Sequence, residues 1–392
     1  MKRFVIAVLL VGLIAILLLF GRLLKKEPLK ELTSKTNSPQ KEKESAGEIP
    51  SIPFALPSEY SIHVFAKGLG NPRDLQFSPG GTLLVSNPVE NTVTALPDKD
   101  GNGVADENKI IISGGNKVHG LAFFDGRLFV AEVNRVASYF WDEERKEAIF
   151  KNQLFRLPNN SDHNNRSIVI DENGTIYVSL GSTCNVCTEP AEKGGSVFIS
   201  DIKGDTAHLW TRGLRNAAFL AINPSTGQIW STEMGRDYLG DNTPPDEINI
   251  LEGNKDYGWP NCYGNKTPDL LFTKKADCKD TVAPIFEIPA HSAPLGLTFI
   301  NSSQFPADWQ GDLLVSYHGS WNRSQAIGYK IVHLKVKGNT IVGSDDFLTG
   351  FNPGTQKDDS LGRPVDMTFD KRGNLYVSDD KAGFVYVIQK KD

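Results

Sequence analysis

The sequence has no excess of basic charge: 42 Lys and Arg stand against 47 Asp and Glu, a formal net charge of −5. The phosphate-neutralising surface that nucleic-acid binding requires is therefore missing, and nucleic acid is excluded as the expected partner. No G-x-S-x-G elbow, phosphate-binding glycine loop or H-E-x-x-H motif occurs, which removes support for serine hydrolases, P-loop enzymes and zincins. Cysteine is scarce, and the four present form two local pairs, Cys184/Cys187 and Cys262/Cys278. A zinc site would want a second C-x-x-C, so disulfides are the expected pairing.

There is a single long hydrophobic run. Phe4 to Phe20 are seventeen apolar or small residues behind Lys2 and Arg3, worth roughly −4 to −8 kcal/mol of membrane insertion. No A-x-A-like site follows, which favours an uncleaved anchor over 1–24 above a signal segment. Arg22, Lys25, Lys26 and Lys30 outnumber Lys2 and Arg3, so the positive-inside rule alone would keep the bulk of the chain in the cytoplasm. The paired cysteines argue for export. The expected location is thus membrane-anchored and facing the periplasm or extracellular space, or secreted if the segment is cleaved. Residues 25–54 are rich in Lys, Glu, Ser and Pro and cannot bury a core, so they read as a tether.

What is abundant is the turn. Thirty-six Gly and 22 Pro punctuate short apolar segments, and one pattern recurs over 55–392: an apolar strand, a turn with Gly, and a second apolar strand ending in small or polar residues. It occupies 75–87, 121–132, 168–180, 219–233, 297–319 and 367–380, with turn glycines Gly81, Gly126, Gly174, Gly227, Gly311 and Gly373. Six such hairpins predict an all-β fold, a six-bladed β-propeller of four-stranded antiparallel blades. The gap of 84 between Gly227 and Gly311 contains no further strand-Gly-strand unit and reads as a long inserted loop.

In a propeller, residues just before each first strand and just after each second strand emerge on one face. Arg73, His119, Arg166, Arg215 with Asn216, His291 and Arg363 occupy the first position; Asn87, Glu132, Ser182, Gly235-Arg236-Asp237, His318 with Arg323, and Asp379-Asp380 occupy the second. Four arginines at one phase of the repeat in an acidic chain predict a cationic funnel. Guanidinium forks suit a ligand with several carboxylates. His163, on the same rim, is a candidate base, because imidazole accepts a proton near neutrality.

Two acidic loops are candidate cation sites. Asp98, Asp100, Asn102 and Asp106 have EF-hand-like spacing, although Lys109 stands where the terminal glutamate belongs; calcium there would clip blade edges together. The second loop runs from Gly235-Arg236-Asp237 to Asp246-Glu247 and is rich in hard oxygen donors, which fit calcium or magnesium better than zinc.

Gly213-Leu214-Arg215-Asn216, Pro245-Asp246-Glu247-Ile248-Asn249, Tyr257-Gly258-Trp259-Pro260-Asn261, His318-Gly319-Ser320-Trp321-Asn322-Arg323 and Arg363-Pro364-Val365 together resemble the soluble pyrroloquinoline-quinone (PQQ)-dependent sugar dehydrogenases, in particular the sorbosone dehydrogenase branch. The resemblance spans about 55–392. It implies that His163 removes the hydroxyl proton of a sugar or polyol while a hydride passes to PQQ, and that calcium polarises the quinone. Gly235 and Arg236 match positions that give backbone oxygens to this calcium, with Asp246 nearby. Arg215, Asn216, Arg363 and Asp380 match positions that hold the cofactor, and His119 and Ser182 belong to the same rim. An electron acceptor such as a quinone or cytochrome is implied as partner.

Two departures from that family bear on activity. Its sugar-oxidising prototype has an aspartate supporting the histidine where this chain has Ser182, and a lysine over the cofactor where this chain has the His318-to-Arg323 loop, with Arg323 the candidate substitute. A calcium-dependent sugar lactonase and a non-catalytic carbohydrate- or protein-binding propeller are the alternatives.

Overall fold

The computed structural model describes residues 52–159, 162–204, 206–272 and 277–391. The expected membrane segment and almost all of the tether lie outside these residues; among those described, no helix is long and apolar enough to cross a membrane. The packed body starts slightly before residue 55, since Ile52 is buried and Phe54 packs edge-on against Phe351 and Tyr386.

Six four-stranded antiparallel sheets form the blades. Blades one to five occupy 75–112, 121–156, 168–212, 217–288 and 294–348. Blade six takes three strands from 364–390 and its outermost strand, Tyr60–Ala66, from the start of the body, with Tyr60 opposite Lys390 and Ile62 opposite Ile388. This pairing closes the ring. The inner strands, Leu75–Phe77, Leu121–Phe124, Ile168–Ile170, Ala217–Ile222, Pro294–Phe299 and Pro364–Phe369, each contact the next around the circle. All six turn glycines have φ between 70° and 97°, a region in which any Cβ is strained, which is why the turn recurs with glycine.

The predicted insertion in blade four is real but not structureless. It contains the blade's third and fourth strands, Asp246–Leu251 and Phe286–Ile288, and a small hairpin of Cys262–Tyr263 with Thr267–Pro268. The Cys262–Cys278 disulfide closes this excursion, and Cys184–Cys187 forms the second bridge.

The second strands are the most buried, on both faces in Leu83–Asn87, Leu313–Tyr317 and Leu375–Asp379. In five blades this strand carries a fully buried serine: Ser86, Ser179, Ser231, Ser316 and Ser378. Ser86, Ser179 and Ser378 Oγ accept the amides of Asp74, Ser167 and Asp366, and Ser378 also donates to Arg73 O of the neighbouring blade at 2.6 Å. Asp366 accepts the Leu75 amide of blade one, and Asp74 accepts the Leu121 amide of blade two, each at 2.8 Å. These side chains satisfy main-chain groups that the ladder leaves open. They also fix where each inner strand begins, and hence where the rim residues stand.

Candidate active site

His163 lies on the loop before blade three's inner strand. Its Nδ1 is 2.9 Å from Ser182 Oγ and 3.1 Å from Ser182 O, and its amide donates to the same carbonyl. Ser182 Oγ donates its own proton to Cys184 O at 2.6 Å. A carbonyl can only accept, and this hydroxyl is already donating, so Nδ1 carries the hydrogen and Nε2 the lone pair. Burial, then the Arg215 charge, pushes the imidazole down to about 4, which keeps it neutral at pH 7. Ser182 therefore orients the ring as an aspartate would, without contributing a charge.

Two features shape the loop beneath. A Cβ on Gly181 would sit 2.4 Å from His163 Cβ, so only glycine lets the loop pass. Arg166, fully buried, donates to four carbonyls, those of Val133, Pro158, His163 and Asn165.

His163 shares a cavity of about 170 Å³ with Arg215, Gly235, Asp237, Asp246 and His291. Arg215 departs from the expected carboxylate fork. Its Nε donates to Asn185 O, Nη1 to Met234 O and Gly235 O, and Nη2 to Asn185 Oδ1 and Asp237 Oδ2. All five N–H groups are used, so Arg215 acts as a strut for the Gly235 loop and lends charge to the cavity. Asp246 accepts the amides of Gly235 and Ala293, both at 2.9 Å, and burial raises its carboxyl to about 7. Arg236 turns its side chain away from the funnel to a buried pair with Asp269, Nε to Oδ2 at 2.5 Å, which ties the loop to the disulfide-closed insertion. Asn216 is buried, with its amide on Glu233 and Nδ2 on Met234 Sδ.

A second cavity, of about 410 Å³, shares Trp321 with the first and is lined by Asn71, Ser320, Lys357, Arg363, Asp380 and Lys381, among others. Arg363 donates through Nε and Nη2 to the carbonyls of His318 and Gly319, and its guanidinium lies over the Tyr329 ring. Asp380 accepts from Arg73 Nη1 at 2.7 Å and pairs with His318 Nε2 at 2.9 Å. Burial raises its carboxyl, but His318 and Arg73 outweigh that and hold it well below the usual range. Asp380 thus joins blades five, six and one at the wall of this cavity.

Arg323, the candidate substitute for the family's lysine, lines neither cavity. It donates to Asp241 O, Ala290 O and Asn242 Oδ1 on the neighbouring loop. His119 is 1 % exposed and lies within the core beside Phe219, so it is an inner-wall residue.

Among the described residues, no group of three or more His, Cys, Asp and Glu side chains is gathered for a metal; a funnel cation would need main-chain carbonyls beside any carboxylates. In the Asp98 loop, Asp98 and Asp100 accept the Asn102 amide, Asp98 also accepts the Gly103 amide, and Asp106 accepts the Lys99 amide. Arg372 of blade six donates to Gly101 O, and Ala105 N to Phe65 O. These bonds hold the loop between the edges of blades one and six, where the cation was expected.

The sequence pointed to His163, Gly235, Asp246 and Arg363. It gave no signal for Asn71, Lys357 or Lys381; Asp237 opened the second candidate cation loop, while Trp321 and Asn322 lay within a motif without being assigned a role.

The six-bladed propeller belongs with the PQQ-dependent sugar dehydrogenases. Residues 54–391 match the TrAA12-like family model, and the chain belongs to that family. It is 26% identical over 396 residues to a PQQ-dependent sugar dehydrogenase of Hypocrea jecorina (strain QM6a), covering 84% of this chain and 88% of the relative. The calcium structure of a Trichoderma reesei family AA12 carbohydrate-active enzyme shares the fold at a TM-score of 0.78 and 23% identity, over 88% of this chain and 99% of that one. The holo PQQ domain of Coprinopsis cinerea pyranose dehydrogenase does so at 0.74 and 22%, over 87% and 98%.

Proposed function

We propose that the chain is an exported quinoprotein oxidoreductase that oxidises a sugar or polyol hydroxyl, with PQQ and calcium held in the funnel. The observation that carries this reading is the His163 imidazole, neutral and fixed with its Nε2 lone pair as the base, on a cavity adjoining a basic one. The residues fit the implied groups. Arg363, Lys357 and Lys381 with Asn71 offer cationic and amide donors to a ligand bearing several carboxylates. Gly235 O and the Asp237 and Asp246 carboxylates offer hard oxygens to calcium on the His163 side.

Bound PQQ would supply the acceptor for the hydride of the substrate carbon, and calcium the positive charge that polarises it. The chain's own part is to hold the alcohol and take its proton: as the C–H electrons leave, the O–H bond breaks toward His163 Nε2 and a carbonyl forms. A base positioned in this way contributes about 10²- to 10⁴-fold. The two disulfides support export.

Two variants test the assignment of roles. His163→Ala should lower kcat by about 10²- to 10⁴-fold while PQQ uptake survives, and Arg363→Ala should weaken uptake first. Equal loss of uptake in both, or unchanged turnover in His163→Ala, contradicts the proposal.

A further inference from the structure

Trp321 and Tyr238 stand at the mouth of the funnel on loops of adjacent blades, their rings edge to face with centroids 5.7 Å apart. Both are large apolar surfaces left in water, 49% and 72% exposed. Their position is built rather than incidental. Asn322 donates to Asp237 Oδ1 at 3.0 Å, the Ser324 amide donates to Asp241 Oδ1 at 3.0 Å, and Arg323 reaches Asp241 O and Ala290 O. These bonds lock the two loops together directly behind the aromatic pair. Trp321 lines the His163 cavity, whereas Tyr238 lies beyond it.

From this placement we propose that Trp321 and Tyr238 form a stacking subsite for a second sugar unit, so that the preferred substrate is a saccharide of two or more units. The inference rests on the sugar-oxidising reading above and specifies its substrate. The His163 cavity, about 170 Å³, is smaller than the ~300–1,000 Å³ typical of sites that enclose a drug-sized ligand. Shared with the cation, it has no room for more than the reacting ring, and a further unit would lie outside it, beside Trp321 on its wall. A sugar's C–H face carries partial positive charge and meets the negative face of a π system, while its hydroxyl edge meets polar groups. Asp237 and Asn322 stand beside Trp321 on the cavity wall to meet that edge.

The test is calorimetric titration of the full chain with hexose and pentose monosaccharides and their β-1,4-linked disaccharides, in the wild type, Trp321→Ala, Tyr238→Ala and Tyr238→Phe. In the wild type the best disaccharide should bind at least about fivefold more tightly than its monosaccharide. That ratio should fall to about twofold or less in both alanine variants and persist in Tyr238→Phe, which keeps the ring. The ratio of kcat/KM values in PQQ-loaded protein should change in parallel. Tyr238, being so exposed, is the substitution least able to disturb folding. A disaccharide advantage that survives both alanine variants, or its absence from the wild type, overturns the subsite. So does a loss confined to the reduction of a protein electron acceptor, which would make the patch a docking surface. If no sugar is oxidised yet the ratio falls as stated, the subsite stands and the dehydrogenase reading fails.

Discussion

With His163 as the base, the acidic limb of the rate profile should be set by the burial of its ring and by Arg215, and one substitution should move it. Burial and Arg215 lower the imidazole from 6.5 to about 4, a difference worth about 3 kcal/mol. The depressed value favours the neutral ring in the folded state. Below pH 6.5 the unfolded chain binds the extra proton, so this group subtracts stability progressively as pH falls toward 4. For catalysis the same sign applies: the base is competent above its pKa, so kcat/KM should hold down to about pH 4–5 and fall below. Bound calcium adds positive charge and acts in the same direction. Ser182→Asp places a carboxylate where Oγ now lies 2.9 Å from Nδ1, and an opposite charge at that distance raises a pKa by roughly 1–3 units. The limb should then move to about pH 5–7. Aspartate cannot donate to Cys184 O as Ser182 does, so the variant should also lose about 1–3 kcal/mol of stability. Dye-coupled rates at saturating calcium and PQQ, with near-ultraviolet circular dichroism to confirm folding at each pH, measure this. A wild-type limb near 6.5, or a limb unmoved in Ser182→Asp, refutes the reasoning.

Asp269→Ala should cost about 3–5 kcal/mol in a denaturant melt, because it strands the buried Arg236 guanidinium, and Asp269→Asn, which keeps an acceptor, should cost less. Arg166→Met should lower kcat more than it raises KM, since the loop carrying His163 loses its donors, and Arg166→Lys should restore part of the loss; equal rates in Met and Lys variants would remove Arg166 as a positioning residue.

The blades were legible because each second strand ends a hairpin whose turn needs positive φ, so Gly81 through Gly373 mark the repeat in the sequence itself. The closing strand was not: Tyr60–Ala66 pairs with Phe384–Lys390 across almost the whole chain, and no local pattern reports so distant a partner. The rim arginines were legible as a set but not in their roles. Arg215 resembles a ligand fork until the carbonyls of Asn185, Met234 and Gly235 take up its donors. Lys357 and Lys381 join the basic cavity from the segment before blade six and from the turn after its second strand, where each reads as ordinary solvated surface.

The most direct measurement is a titration of purified, metal-stripped protein with PQQ, with and without calcium, followed through the quinone's visible absorption. Binding should saturate near one PQQ per chain and require calcium, because a cation held at the Gly235 loop would supply the positive charge that an anionic cofactor needs there. Addition of a saccharide should then reduce the bound quinone. Failure of PQQ to bind at any calcium concentration, especially if the calcium-loaded protein hydrolyses a sugar lactone, would contradict the account.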